Sequence, residues 1–251
     1  MDKIAQFKSL HVPGNPLILV NIWDAGSAKA VEAAGAKALA TGSYGVAGAQ
    51  GMDDGEHFPL DLALANLEKI VAVTDLPVSI DMEAGYGNTT DEVGASVARA
   101  RDQGACGINM EDRMPGQTVL LSAEEYAERL KAAAKSGIWI NARCDVFMGQ
   151  SVAESGDDLA KEVLRRADIY AEAGAGSLFV PFLSDLRLIS RICERALLPV
   201  NILYDPNGPS HSELADAGVA RISHGHKPWA AAMEWLEGQA KRVLEGGEPD
   251  Y

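Results

Sequence analysis

Three short stretches of this chain put acidic and amide side chains where the surrounding pattern is that of a buried β-strand. In Val78-Ser-Ile-Asp-Met-Glu83, alternate residues point to the same side, so Val78, Ile80 and Met82 form an apolar face while Ser79, Asp81 and Glu83 share the other. Two carboxylates this close together are costly to bury unless a cation or a shared proton offsets their repulsion. A divalent metal is the simplest such cation. Gly107-Ile-Asn-Met-Glu111 repeats the alternation with Asn109 and Glu111 on one face, and Trp139-Ile-Asn-Ala-Arg-Cys-Asp145 repeats it with Asn141, Arg143 and Asp145. The other account of these acids is a set of buried ion pairs with arginine or lysine.

Such groups need elements to aim them, and the chain supplies apolar strands in alternation with Ala-rich helical patterns. Strand candidates fall at 17–23, 38–43, 77–83, 107–112, 139–147, 177–182, 199–204 and 220–225. Helical patterns fill 27–35, 60–73, 90–103, 122–136, 156–173, 184–195, 210–217 and 228–244. Gly35, Gly104, Gly137, Gly174 and Gly218 stand where these helices would end in a left-handed cap. Eight such units make a (β/α)₈ TIM barrel the natural count for one domain over 1–251, although counting alone equally admits a doubly wound open sheet. In either fold ligands gather at the carboxyl ends of the strands, where Asp81, Glu83, Glu111 and Arg143 all fall.

Composition narrows the partners. A formal net charge of −14 disfavours nucleic acid and anionic membrane surfaces, since both would repel the chain. It leaves room for a small anionic substrate, because a metal and Arg143 can reverse the sign inside a pocket. The three cysteines, Cys106, Cys144 and Cys193, show no CxxC spacing, which points to reduced thiols in a cytoplasmic protein. Neither a signal-peptide-like apolar run nor a stretch long enough to span a membrane is present.

Eight segments in order resemble the isocitrate lyase/phosphoenolpyruvate mutase superfamily over nearly the whole chain: Trp23-Asp-Ala-Gly-Ser-Ala28, Thr41-Gly-Ser-Tyr-Gly-Val-Ala47, Gly51-Met-Asp-Asp-Gly-Glu56, Asp81-Met-Glu-Ala-Gly-Tyr-Gly87, Glu111-Asp112, Asn141-Ala-Arg-Cys-Asp145, Pro199-Val-Asn201 and Gly218-Val-Ala-Arg-Ile-Ser223. The resemblance implies a (β/α)₈ barrel in a homo-oligomer, dimer or tetramer, with the last helix, about 228–244, exchanged between subunits. Trp229, Met233 and Trp235 are that helix's candidates for the contact. It also implies Mg²⁺, with Mn²⁺ able to take its place, bound directly by Asp81 while Glu83, Glu111 and Asp54 hold the ion's waters. Asp54, Glu111 and Arg143 are its expected catalytic groups. Arg143 would pair with a substrate carboxylate, and Thr41, Gly42, Ser43 and Asn201 would approach the same molecule.

Each of these positions has a plainer account. Asp54 lies in an Asp-Gly turn, Arg143 could serve Asp145 or Glu111 alone, Thr41 to Ser43 could be a helix-entry turn, and Asn201 a buried structural amide.

Departures from the resemblance bear on the reaction. Isocitrate and methylisocitrate lyases carry a cysteine-bearing Lys-Lys/Arg-Cys-Gly-His loop after the fourth-strand acid. Here that segment is Arg113-Met-Pro-Gly-Gln-Thr-Val-Leu-Leu121, with no Cys, Lys or His. The sixth-strand acid of the methylisocitrate lyases is replaced within Phe179-Val-Pro-Phe182, and their seventh-strand hydroxyl position is Leu203. What remains suits a metal-stabilised enolate formed from a small 2-oxo or 2-hydroxy carboxylic acid, with carbon–carbon cleavage by decarboxylation or retro-aldol chemistry. Hydrolysis of a C–C or C–P bond, with water activated by Asp54 or Glu83, and keto-acid binding without turnover are the alternatives. A retro-aldol base would come from Tyr44, Tyr86, His57, His224 or His226, each of which has a rim or packing role as its plainer reading.

Overall fold

Eight parallel strands form one sheet in the computed structural model, which describes residues 2–251. They are β1 (Leu17–Leu19), β2 (Leu39–Ala40), β3 (Val78–Asp81), β4 (Gly107–Glu111), β5 (Trp139–Arg143), β6 (Ser177–Val180), β7 (Val200–Leu203) and β8 (Arg221–Ser223). The first strand pairs with the last, Leu17 to Arg221 and Leu19 to Ser223. Between β1 and β2 the gap is closed by the Ile22–Thr41 bridge, where the Ile22 N–H donates to the Ala40 carbonyl at 2.9 Å. Pairing of β1 with β8 settles the choice between barrel and open sheet: the chain is a (β/α)₈ barrel.

The strands are shorter than their apolar runs suggest. Ser43, expected in the second strand, already opens a helix, and Asp145, expected in the fifth, starts a 3₁₀ turn over Asp145–Phe147. Glu83 departs further. The third strand stops at Asp81, and Glu83 adopts φ +47°, so the strict alternation read across 78–83 fails at its last residue. Strong local signals set the helices. Capping boxes start α2 (Ala25–Ala33) from Asp24, α5 (Thr90–Asp102) from Thr89, α6 (Ala123–Ala134) from Ser122 and α9 (His211–Asp216) from Ser210. The five glycines expected to end helices all have positive φ, from +76° at Gly137 to +99° at Gly174. Three helices completing the outer ring are α4 (Leu60–Val71), α7 (Val152–Glu172) and α8 (Leu186–Arg195). No helix among the described residues is long and apolar enough to cross a membrane.

Two helices were not legible beforehand. α1 (Lys3–Ser9) closes the amino-terminal mouth of the barrel: Phe7 is fully buried against Leu17, Leu19, Ala38 and Ala40. A Cβ at Gly107 would lie 2.7 Å from the Phe7 ring, so the strand can pass that close only as glycine. Burying such a phenyl group contributes about 1.5–3 kcal/mol. α3 (Ser43–Gly48) is the short helix after β2, and its Gly45 and Gly48 receive the indole of Trp229.

Trp229 opens α10 (Lys227–Leu244), and its half-buried ring packs against α3. The rest of α10 carries Trp235 and Leu236 about half exposed, while Ile18 and Val20 around β1 are partly open to solvent.

Inside the barrel the core is polar rather than aliphatic. Asn141 donates to Asn109 at 2.8 Å, Ser177 donates to Asn141 at 2.7 Å, and the fully buried Arg221 donates to Asn109 at 3.1 Å and to Ser223 at 3.0 Å. Ser223 in turn donates to Asn201 at 3.3 Å. Among the described residues Arg221 has no carboxylate within ion-pair distance, and burial pulls its pKa down to about 9.

At the closed end, His11 has its Nδ1 2.9 Å from the Phe7 carbonyl and its ring against Phe7 and Trp139. Burial, reinforced by Arg221, lowers its pKa from 6.5 to about 3. The unfolded chain therefore takes up a proton near pH 6.5 that the folded chain refuses until about pH 3. Stability is expected to fall as pH drops below 6.5, by up to about 1.4 kcal/mol per unit, and His11→Gln should flatten that slope in urea titrations.

Candidate active site at the carboxyl ends of the strands

The carboxyl ends of the strands surround a cavity of about 210 Å³. Asp81 from β3, Asn109 from β4, Arg143 from β5 and Ser223 from β8 reach it, with Gly42, Ser43, Tyr44 and Asp54 from the loops after β2. Asn21 joins them and holds the rim: its Oδ1 accepts from the His224 and Gly225 N–H groups at 3.0 and 2.8 Å, and its Nδ2 donates to the Thr41 carbonyl at 3.0 Å.

Asp81 is fixed from both sides. The Ser43 N–H donates to its Oδ2 at 3.2 Å, and its own N–H donates to Thr41 Oγ1 at 2.9 Å. Burial raises the Asp81 pKa, opposed by Arg143 and the Ser43 N–H and assisted by Asp54. Glu83, 5% exposed, accepts from the Glu56 N–H at 2.7 Å and from the Tyr86 hydroxyl at 3.0 Å. Burial and then Asp81 and Asp54 push its pKa to about 7. Glu56 answers by accepting from the Tyr86 N–H at 2.8 Å.

Across the cavity, Arg143 lies between two acids. Its Nε and Nη2 donate to the two oxygens of the buried Asp145 at 2.6 and 2.9 Å, and its Nη1 lies 2.6 Å from Glu111 Oε2. Burial alone would weaken the guanidinium charge, but Glu111 and Asp145 outweigh it and raise the pKa. Glu111 itself is driven up to about 8, by burial first, with Arg143 resisting and Asp145 reinforcing. A second arginine approaches Asp145 as an ion pair without a hydrogen bond, Arg113 Nε lying 3.6 Å from its Oδ2. The Asp145 N–H donates to Asp112 Oδ1 at 2.9 Å. Asp112 points away from the cavity, toward Arg166 at 3.0 Å and the Tyr170 hydroxyl at 2.7 Å, so of the Glu111-Asp112 pair the second acid braces the strand ends.

The structure thus brings Asp54, Asp81, Arg143, Gly42 and Ser43 onto one cavity, with Glu83 and Thr41 on a small recess beside Asp81 and Glu111 behind Arg143. Asn201 is the exception. It is fully buried within the polar belt, where its Oδ1 accepts from Ser223 at 3.3 Å, and it is not among the residues lining the cavity. Tyr44 and His226 reach the cavity with ring centroids 5.4 Å apart, whereas His57 binds the Asp54 carbonyl and His224 the Leu19 carbonyl. Asn21 and Glu56 carried no pattern in the sequence; their roles depend on contacts across 203 and 30 residues.

All four non-glycine residues with positive φ among the described residues cluster here: Glu56 at +59°, Glu83 at +47°, Tyr86 at +49° and Phe182 at +63°. Backbone strain held at one end of a barrel accompanies pre-organised sites. No group of three or more His, Cys, Asp or Glu among the described residues converges as a ready-made metal cage. A hard cation bound through one or two carboxylates and several waters needs none, and Asp81 with the acids around it is an all-oxygen donor set of that kind.

The phosphoenolpyruvate phosphomutase family matches residues 7–244. A solved structure of a candidate phosphonomutase from Burkholderia cenocepacia J2315 superposes with a TM-score of 0.93 at 44% identity, covering 96% of this chain and 98% of that one. The 2-methylisocitrate lyase of Salmonella typhimurium is 29% identical over 76% of this chain and 70% of its own length. The oxaloacetate decarboxylase of Bradyrhizobium diazoefficiens is 28% identical over 73% of this chain and 64% of its own. Both of these relatives break carbon–carbon bonds.

Removing the cation from the Glu111–Arg143–Asp145 group leaves two carboxylates facing each other. Arg143→Leu is expected to lower stability by about 3–5 kcal/mol in denaturant titrations, the cost of an uncompensated buried charge. A change within about 0.5 kcal/mol would mean that the acids protonate or hydrate freely and that the pairing is incidental.

Proposed function

The chain belongs to the phosphoenolpyruvate phosphomutase family, and from that premise we propose that it is a Mg²⁺-dependent lyase cleaving a carbon–carbon bond in a small 2-oxo or 2-hydroxy carboxylic acid. The observation that carries the reading is the pairing of Asp81 and Arg143 on one cavity: a buried carboxylate beside further acids, facing a guanidinium already fixed in place.

In this reading Asp81 holds the cation, and Glu83, Glu111 and Asp54 hold its waters. Mn²⁺ would satisfy the same oxygen donors. Held by these residues, a divalent cation would supply Lewis acidity to a keto oxygen next to the bond that breaks. The protein's own groups do the rest. Arg143 retains two N–H donors beyond the three engaged by Glu111 and Asp145, enough to orient one substrate carboxylate. The Ser43 N–H holds the Asp81 carboxylate at 3.2 Å, while Thr41 Oγ1 accepts from the Asp81 backbone N–H at 2.9 Å and fixes the strand end beneath it. Tyr44 and His226 are the groups at the cavity able to move a proton.

Purified protein should release a 2-oxo acid or its decarboxylation product from a panel of 2-oxo and 2-hydroxy acids in the presence of Mg²⁺. Asp81→Ala should lower that turnover at least about 100-fold, and EDTA should abolish it reversibly. Activity that survives metal removal would refute the mechanism. Mg²⁺-dependent binding of oxalate with no turnover of any acid would instead favour a keto-acid-binding protein.

We also propose that α10 is exchanged between subunits of a dimer or tetramer, laying Met233, Trp235 and Leu236 on the open Ile18 and Val20 of a neighbour. Their exposure on the isolated chain supports this. Sedimentation is expected to show the oligomer, with Leu236→Glu shifting it toward monomer; a monomeric native protein would refute the exchange.

A further inference from the structure

The cavity has two unlike walls. One is polar and holds Asp54, Asp81, Asn109 and Arg143; the other is built from Met148, Phe179, Pro181, Phe182 and Leu203. We propose that the substrate carries a single carboxylate at its 2-oxo end, a hydroxyl on the far carbon of the bond that breaks, and an uncharged, apolar arm beyond it, so that cleavage is of the retro-aldol kind and the arm leaves as an aldehyde or ketone. This deepens the function proposed above and rests on it.

Charge bookkeeping comes first. Among the described residues Arg143 is the only lysine or arginine that lines the cavity, and three of its five N–H donors are already held by Glu111 and Asp145. One carboxylate saturates what is left. A second would lie among Phe179, Pro181, Phe182 and Leu203, whose own side chains offer no donor, while the Ser223 hydroxyl beside Leu203 already donates to Asn201; an unpaired carboxylate taken out of water is costly.

Shape points the same way. Phe179 follows Ser177 on the inward face of β6 and is 6% exposed, and Leu203 ends β7 on the adjoining strand. Leu203 is pressed against the rim, since a Cβ at Gly225 would meet its Cδ1 at 2.8 Å. Pro181 then leads into Phe182, whose φ of +63° is a conformation a phenylalanine rarely adopts. That backbone places a 48% exposed aromatic ring at the lip of the cavity, an arrangement that has no use as core packing. The cavity of about 210 Å³ has room for a small 2-oxo acid with a short arm.

Calorimetric titration of the full chain in Mg²⁺ with oxalate, 2-oxobutanoate, 4-methyl-2-oxopentanoate and 2-oxoglutarate tests this. Oxalate is expected to bind only with Mg²⁺. 4-Methyl-2-oxopentanoate should bind at least tenfold more tightly than 2-oxobutanoate, at about fourfold per added methylene, and at least tenfold more tightly than 2-oxoglutarate. Leu203→Arg should reverse the last preference, and Leu203→Ser, a milder change, should weaken the branched acid alone. If oxalate binds and 2-oxoglutarate is held as tightly as the branched acid or better, the apolar arm is overturned while the metal-dependent site stands. If oxalate fails to bind in Mg²⁺, the proposed function falls and this inference falls with it.

Discussion

The upper layer of the barrel is organised by one compensation. Glu111 and Asp145 lie at the ends of β4 and β5 and just beyond, in surroundings that penalise their charge, and the Arg143 guanidinium between them is what makes both tolerable. The pairing follows from register. Glu111 and Arg143 are direct neighbours across the β4–β5 ladder, and both face inward because Asn109 and Asn141, two residues earlier, are neighbours facing inward too. Asp112, one residue on, faces outward and ties the strand ends to α7 through Arg166 and Tyr170. A single register slip would exchange the two acids and dismantle both arrangements.

Below that layer the barrel spends its interior on amides, hydroxyls and one buried arginine instead of branched aliphatics. Such a network is costly where a group lacks a partner, and Arg221 Nη1 and Asn201 Nδ2 have none within the protein. Its counterpart is rigidity: Asn109, which reaches the cavity, has its carbonyl oxygen taken by Asn141 and Arg221, so its amide N–H groups are left for the cavity side. The mouth is where strain is stored, at Glu56, Glu83, Tyr86 and Phe182. The glutamates and the tyrosine are bound to one another in a cycle of hydrogen bonds that holds them in their left-handed conformations.

Much of this was open to reading from the chain alone. Period-two alternation identified the inward faces of β4 and β5 without error, because both strands are buried on two sides and the pattern is imposed over five residues each. Capping boxes and C-terminal glycines marked the helices because those signals are local. The alternation misled at Glu83 and Asp145. Each lies just past the end of its strand, and at Glu83 the backbone turns to positive φ even though its carbonyl still accepts from the Glu111 N–H at 2.8 Å; each carboxylate reaches the site by another path.

The sequence by itself determined the barrel's alternation of elements, the family, and the identities of the acids and the arginine at the strand ends. Tertiary structure alone decided which of them share a cavity. It buried Asn201 within the polar belt, spent most of Arg143 on two acids, and drew in Asn21 and Glu56 through contacts that span 203 and 30 residues. The reason is physical: periodicity is a property of a strand and its nearest neighbours, whereas depth in the barrel depends on how all eight strands tilt and close.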